Sequence, residues 1–229
     1  MVTAIRTNTL MNTNIDFELL QLNDSTFPIG SYTLSWGFET FVQQKIIYDS
    51  KTALEYLESE ISSSFLSNEL LPVRLAYEYA QNGQWNKVLE IDEIYNAAKS
   101  AKEIRVGSKK ITVRFFKTVS LWHEMHELSE VQHFPVIYGA YCAIKKIPLE
   151  SALKTFLYSQ FSARVTTLVK LIPLSQNEGQ KILHSLFEKF DRILLDVTKL
   201  GEDDLCRSCP SSEIRGMQHE YLYTRLYMS

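Results

Sequence analysis

Two histidines have the spacing of a metal site. His123 and His126 are three residues apart, and on a helix that spacing places both side chains on one face, within reach of one ion. A helical metal carrier or a metal-dependent hydrolase could use such a pair. Because the pair is short and frequent by chance, we interpret it instead as part of a solvated helix face, with metal contact as the alternative.

Two cysteines form a second candidate. Cys206 and Cys209 have CxxC spacing, which supplies two ligands, whereas a structural zinc site uses four. A redox pair is expected between a strand and a helix, and this stretch is a polar loop. We favour thiols without a chemical role in a mobile loop. A metal role, with His219 completing a carrier site, and a redox role remain open.

The sequence favours a protein without catalytic residues. Gly107–Lys110 lacks the spacing of a phosphate-binding loop, and neither GxSxG nor HExxH occurs. Glu39, Glu103 and Glu220 have no partner that the sequence identifies, so each is interpreted as a residue of a surface helix.

Aromatic residues at the C-terminus suggest a protein interface. Tyr221, Tyr223 and Tyr227 lie beside Arg225, and Tyr and Arg are common anchors of interfaces. Either this stretch folds back on the parent core or a partner covers it. Residues 27–39 mix turn-forming glycines with aromatic side chains, so they either pack inward or form an interface patch.

Helical spacing of apolar residues extends from Ile15 to the end of the chain, and alternation typical of strands is hard to find. The sequence therefore predicts an all-α protein: one globular domain of about eight to ten helices over residues 15–229. Residues 1–14 are polar and aperiodic, which predicts a flexible N-terminal tail.

Several boundaries follow from capping and helix-breaking residues. Capping boxes are predicted at Thr52–Glu55 and Ser175–Glu178, and Gly107 is expected to interrupt a helix that resumes over Ile111–Leu128. The other expectations are a helix from about Ser35 to Gln44, a central helix over Val136–Lys146, a long helix between Pro148 and Pro173, a loop over 202–213, and a terminal helix over Met217–Tyr227.

Composition limits the kind of partner and the cellular compartment that the protein can have. The 229 residues carry a net charge of −3 and no long basic run, which argues against nucleic acid as the partner. Three cysteines fit reduced thiols better than a disulfide framework. The first residues lack a signal core, and no apolar run approaches the roughly 20 residues of a membrane span. We therefore expect a cytoplasmic protein that does not enter a membrane.

Five blocks resemble the UreF family of urease accessory proteins and occur in family order. The first resembles the family's leucine-rich helix, Pro-x-Gly turn and Ser-x-Gly-Leu-Glu helix start. Leu34 departs from the pattern, because many relatives carry His there, and one possible nickel ligand is thereby lost. The blocks are Leu19–Ser25 with Phe27–Ser31 and Ser35–Thr40; Glu103–Arg105 with Ser108; His133–Val136 with Gly139; Ser162–Ala163 with Leu171–Leu174 and Gly179–Gln180; and Met217–Glu220 with Arg225–Ser229.

The resemblance implies an all-helical, usually dimeric scaffold that catalyses nothing itself. Such a protein joins UreD (also called UreH) and the GTPase UreG on the urease apoprotein, where GTP hydrolysis drives nickel insertion. It binds no cofactor stably, and nickel passes through it at most transiently. The resemblance and the residue chemistry together predict partner binding by Phe27, Pro28, Gly30, Tyr32, Ser35, Trp36, Gly37, Glu39, His219, Glu220, Tyr223, Arg225, Leu226 and Tyr227.

Overall fold

The computed structural model describes residues 17–207 and 209–228, and for Tyr32 only the backbone. Helices dominate this part of the chain, and it contains no β-strand, which confirms the predicted all-α class. The predicted tail, residues 1–14, lies outside the described residues. The helices are α1 Phe17–Leu22, α2 Phe38–Gln43, α3 Ser50–Glu60, α4 Leu71–Gln81, α5 Trp85–Ala98, α6 Lys102–Val119, α7 Phe134–Ile144, α8 Leu149–Leu171, α9 Gln176–Ser185, α10 Phe187–Val197 and α11 Pro210–His219.

A π-helical segment, Ile61–Leu70, joins α3 to α4 without a break. At its start the Ser62 hydroxyl donates to the Glu58 carbonyl and the Ser63 hydroxyl to the Ser59 carbonyl. These hydroxyls compete for the carbonyls that an α-helix would use, which favours the wider turn. If α3, the π-helical segment and α4 are counted as one continuous helix, the described residues form ten helices, within the predicted eight to ten.

Helix α7 lies at the centre of the molecule. Its residues Phe134–Ala143 are all buried, as expected for a helix that is apolar all round. Helix α4 packs along it, and α5, α6 and α8 also contact it. A Cβ atom on Gly139 would lie 2.2 Å from the Val73 carbonyl oxygen, so only glycine permits this close approach of α7 to α4.

Several predicted boundaries are confirmed. Helix α8 lies between Pro148 and Pro173, and α7 matches the predicted central helix to within two residues. Ser175 and Glu178 form the expected capping box of α9. Among the described residues no helix is both long enough and apolar enough to cross a membrane.

Other boundaries were wrong. Helix α6 continues through Gly107 without interruption. This glycine packs against the Leu34 side chain, and that tertiary contact favours the helical conformation there. The same helix ends at Val119, so the predicted stretch to Leu128 is not helical throughout. The N-cap of α3 is Asp49, which bonds the Thr52 backbone N–H; Thr52 is the third helical residue of that capping box.

The C-terminal boundaries were also wrong. Residues 202–213 are not a continuous loop, since Glu202–Asp204 form a 3₁₀ turn and α11 begins at Pro210. Proline suits this first position because its missing N–H would have no helical acceptor there. The helix ends at His219, and residues 220–228 are not helical.

Candidate functional site at the C-terminal segment

Helix α11 places His219 between two carboxylates. Its ring is fully buried, with Nε2 3.1 Å from Glu39 Oε2 on α2 and Nδ1 2.5 Å from Glu103 Oε2 on α6. Arg225 Nη1 lies 2.7 Å from the other oxygen of Glu103. One histidine thus links α2, α6 and α11, and we call these four residues the anchor cluster.

The hydrogen-bond geometry of His219 fits a protonated ring. A neutral imidazole has one N–H, whereas the imidazolium can donate to both Glu39 and Glu103. In that form the positive charges of His219 and Arg225 balance the two carboxylates. Balance of this kind is what permits charged groups to be buried.

The anchor cluster fixes the backbone of residues 220–228, which we call the C-terminal segment. Glu39 accepts the backbone N–H of Leu226 at 2.7 Å and that of Tyr227 at 3.2 Å. The Met228 N–H donates to the Thr33 carbonyl at 2.8 Å. The segment is therefore held along the surface without belonging to a helix.

The turn before α2 sets the position of Glu39. Trp36 has a φ of 54° and Gly37 a φ of 86°, both in the left-handed region, which suits Gly37 and strains Trp36. The Trp36 ring is held by the guanidinium of Arg164, 5.6 Å from its centroid, and Arg164 in turn pairs with the buried carboxylate of Glu60 at 3.2 Å. The cation–π contact and ion pair offset the strain of the turn.

The predicted site residues divide into a buried and an exposed group. The C-terminal segment folds back through its backbone, yet Tyr221 and Leu226 are 87% and 78% exposed and Tyr223 is fully exposed. Tyr32 has no described side chain. Of the remaining predicted residues, Phe27, Gly30, Ser35, Gly37, Glu39 and His219 are buried, Trp36, Glu220 and Tyr227 are half-buried, and Pro28, Arg225 and Leu226 are exposed.

Phe27 is part of the core. Its ring centroid lies 6.1 Å from that of Phe115 and 6.5 Å from that of Trp122, so the Phe27 side chain does not contribute to an exposed patch. Arg225 forms an ion pair within the chain, so anchoring a partner through Arg225 would compete with Glu103. A partner-binding role for these residues stays a prediction.

Sequence reasoning missed how Glu39 and Glu103 act. Neither is an isolated residue of a surface helix, because both contact His219. The only signal available was their presence in the blocks Ser35–Thr40 and Glu103–Arg105. Thr33 and Arg164, which position the segment and the turn, carry no signal in the sequence.

The histidine pair is not on one helix face, which corrects the prediction. His123 follows the end of α6, and His126 begins a 3₁₀ turn, because the helix stops at Val119. His123 Nε2 lies 3.1 Å from Glu18 and 2.8 Å from Lys145 Nζ. Within the described residues, no three His, Cys, Asp or Glu side chains converge as a metal site would require.

Cys206 of the cysteine pair has little thiolate character. Burial raises the pKa of Cys206 to about 11, so its thiol is protonated at neutral pH and is a poor ligand and nucleophile. The Cys206 N–H donates to the Ser67 carbonyl at 3.1 Å, which fixes the loop on the π segment. His219, the third ligand of the carrier hypothesis, has both nitrogens occupied by carboxylates.

Fold and site together define an all-helical protein whose C-terminal segment is held by buried charges while its large side chains face solvent. The family model UreF matches residues 47–187. The chain is 34% identical to the urease accessory protein UreF of Haemophilus influenzae strain PittEE, over 92% of this chain and 94% of the relative. It is also 34% identical to the urease accessory protein UreF of Actinobacillus pleuropneumoniae serotype 5b, over 92% of this chain and 97% of the relative.

A more distant relative agrees. The chain is 29% identical to the urease accessory protein UreF of Bacillus sp. strain TB-90, over 93% of this chain and 98% of the relative. The matches to these relatives extend over nearly the full length of both chains. The chain belongs to the UreF family of urease accessory proteins.

Proposed function

We propose that this protein is a cytoplasmic, non-catalytic scaffold that joins UreD (UreH) and the GTPase UreG on the urease apoprotein. In that assembly GTP hydrolysis by UreG drives nickel insertion, and nickel passes this chain at most transiently. The scaffold acts as a homodimer and binds no nucleotide itself. Membership of a family of urease accessory proteins supports the general role.

The fixed C-terminal segment carries the proposal. Tyr221, Tyr223 and Leu226 project into solvent from a backbone that Glu39 and Thr33 hold in place. Because the backbone is already ordered, a partner that buries these side chains would not have to order the chain first. Large aromatic side chains at the centre of an interface contribute most of its binding energy.

UreD is the partner we assign to this segment. A change that removes its exposed side chains should prevent UreD binding without unfolding the protein, because these side chains contribute little to the core. We expect Tyr223→Ser/Leu226→Ser to weaken UreD capture by at least about tenfold, since interface anchors are each worth roughly 2 kcal/mol. Capture of purified UreD on immobilised protein measures this.

A matched control uses another exposed Tyr and Leu. Tyr48 and Leu195 are 58% and 65% exposed and lie outside the segment. Tyr48→Ser/Leu195→Ser should capture UreD like the wild type. Removal of residues 220–229 should abolish capture. Undiminished capture by the truncated protein would refute the assignment of UreD to this segment.

The metal-based alternatives have less support. A hydrolase using His123 and His126 predicts stoichiometric metal in the purified protein, as does a carrier using Cys206, Cys209 and His219. Among the described residues, no group of three or more His, Cys, Asp or Glu side chains is arranged to hold a metal ion. Elemental mass spectrometry of the purified chain tests both, and tightly bound metal that is lost on His123→Ala or Cys206→Ala would favour the corresponding alternative.

A further inference from the structure

Helix α6 carries an unusual concentration of positive charge for a chain whose net charge is −3. It contains six Lys or Arg residues and one acidic residue, Glu103. Four of the cations are exposed and lie within about one third of the helix circumference, given 3.6 residues per turn. Exposed Val106 and Val113 lie between them. We call this set the basic face: Lys102, Val106, Lys110, Val113, Arg114 and Lys117.

The charges of the basic face are not neutralised within the described part of the chain. Lys102, Lys110, Arg114 and Lys117 take part in none of its ion pairs. Arg114 makes a long hydrogen bond of 3.4 Å to the Ile29 carbonyl. Other exposed cations of the described residues, such as Lys146, Lys181 and Arg192, are unpaired too. The basic face differs from them because it gathers four such cations on one side of a single helix.

A groove runs beside the basic face. It has a volume of about 220 Å³ and lies between α6 and the C-terminal segment. Lys102, Lys110 and Arg114 line one side, and Gly30, Thr33 and Met228 line the other. Glu103 lies at its edge, but its carboxylate is already engaged by His219 and Arg225. An acidic side chain entering this groove would meet unpaired cations.

We propose that the basic face and its groove bind a polypeptide segment that presents carboxylates interleaved with apolar side chains. The face spans Lys102 to Lys117, about 22 Å along the helix axis, which matches about four turns of a partner helix. Carboxylates would pair with the cations, and apolar side chains would cover Val106 and Val113. This surface borders the C-terminal segment, but its lining does not include Tyr221, Tyr223 or Leu226, the side chains assigned to UreD.

A second copy of this chain does not suit the face. A two-fold dimer formed through it would place the same cations opposite each other, with no acidic residue on the face to pair with them. The face fits nucleic acid less well than an acidic polypeptide. The apolar side chains of Val106 and Val113 cannot bind phosphate, and the carboxylates of Glu103 and Glu220 at the groove would repel it.

The test uses a fluorescein-labelled amphipathic helical peptide of about 16 residues, with Glu along one face and Leu beside it. Its affinity is measured by fluorescence anisotropy for the full-length protein and for Lys102→Glu/Lys110→Glu/Lys117→Glu. Reversing three charges should weaken binding by at least about tenfold, because each exposed pair is worth up to about 1 kcal/mol. Circular dichroism checks that the variant folds.

The matched control, Lys146→Glu/Lys181→Glu/Arg192→Glu, makes the same change in net charge at exposed cations outside the face. We expect it to change affinity by less than about twofold, as for rim charges outside a contact. Equal weakening by both variants would show a net-charge effect and overturn the proposal.

Carbodiimide coupling locates the contact. It joins peptide carboxylates to nearby lysines, and mass spectrometry should find the amide at Lys102, Lys110 and Lys117. Coupling spread over exposed lysines of the whole molecule would overturn the proposal. Tighter binding of a single-stranded oligonucleotide of about 20 nucleotides than of the peptide would do the same, and would identify the face as a nucleic-acid surface.

Discussion

Single residues decide how the C-terminal segment is held. The Glu39 carboxylate accepts two backbone N–H groups and contacts His219, so three groups depend on one buried side chain. Its residue type alone suggests a solvated position, since charged residues are rarely buried. Only when α2, α6 and α11 pack together does the carboxylate find its partners.

Glu39→Gln should release the C-terminal segment. Glutamine keeps the size but offers one acceptor oxygen, and its amide nitrogen cannot accept the second N–H. Since buried partners are then left unpaired, we expect a loss of about 2–4 kcal/mol in the free energy of unfolding. Hydrogen exchange of Leu226 and Tyr227 should accelerate by at least tenfold, as measured by mass spectrometry.

Glu220→Gln is the matched control. Glu220 lies at the start of the segment and makes no ion pair among the described residues. This substitution should change the free energy of unfolding by less than about 0.5 kcal/mol, as is usual for positions outside the core and its ion pairs. The exchange rates of Leu226 and Tyr227 should stay at the wild-type values. Equal exchange rates in Glu39→Gln and wild type would mean that the segment is held by other contacts.

The pH dependence of stability should carry a contribution from His133, the residue preceding α7. Burial lowers the pKa of His133 to about 3, while burial raises the pKa of Asp92, which accepts the His133 N–H, to about 6. The unfolded chain protonates its histidine below about pH 6.5, so His133 makes the fold less stable as pH falls through that value. Asp92 has the opposite effect between about pH 6 and 4.

His133→Gln isolates the histidine contribution. Relative to this variant, the wild type should lose about 1.4 kcal/mol of unfolding free energy per pH unit below about pH 6.5, or roughly 2–3 kcal/mol by pH 4.5. Urea unfolding of both proteins from pH 7.5 to 4.5 measures the difference. A difference that stays constant over this range would show that His133 is charged or exposed in the folded state.

At the scale of elements, the distance between packed helices decides whether a substitution stabilises or destabilises the fold. Gly139 lies in the middle of α7, where alanine normally favours a helix by up to about 1 kcal/mol. Here the added methyl would overlap the Val73 carbonyl, at 2.2 Å. Helices α4 and α7 would have to separate, and overpacking of this kind costs about 1–3 kcal/mol or more.

Gly139→Ala should therefore lower the free energy of unfolding by at least about 1 kcal/mol in urea titrations. Gly201→Ala is the control, because nothing lies within 4 Å of an added Cβ and its φ is −117°. The control should be neutral or slightly stabilising. If Gly139→Ala proved as stable as Gly201→Ala, α4 and α7 would not pack as closely as described.

At the scale of the whole molecule, the core does not depend on the C-terminal segment. Residues 220–228 form no helix, and their large side chains are mostly exposed. A chain ending at His219 should keep its far-UV circular dichroism per helical residue, while its melting temperature should fall by several degrees because Glu39 loses two N–H donors. A large loss of helical signal would show that the segment helps to form the core.

Sequence alone determined the helical class, the central helix α7, the long α8 between its prolines and the capping box of α9. These features depend on local spacing and on Pro, Ser and Glu chemistry, which act within a few residues. The same local reasoning failed at Gly107 and at the histidine pair, because a glycine that packs against Leu34 is tolerated inside a helix and the end of α6 is not marked by a breaker.

Tertiary structure alone decided the anchor cluster and the two surfaces. Glu39, Glu103 and His219 are separated by 64 or more positions along the chain, and no local pattern relates them. From the sequence, the C-terminus either folds back on the core or is covered by a partner. In the structure its backbone folds back, whereas the side chains of Tyr221, Tyr223 and Leu226 stay exposed to solvent. That outcome depends on where three helices cross, since charge pairing and burial are set by distance in space rather than by spacing along the chain.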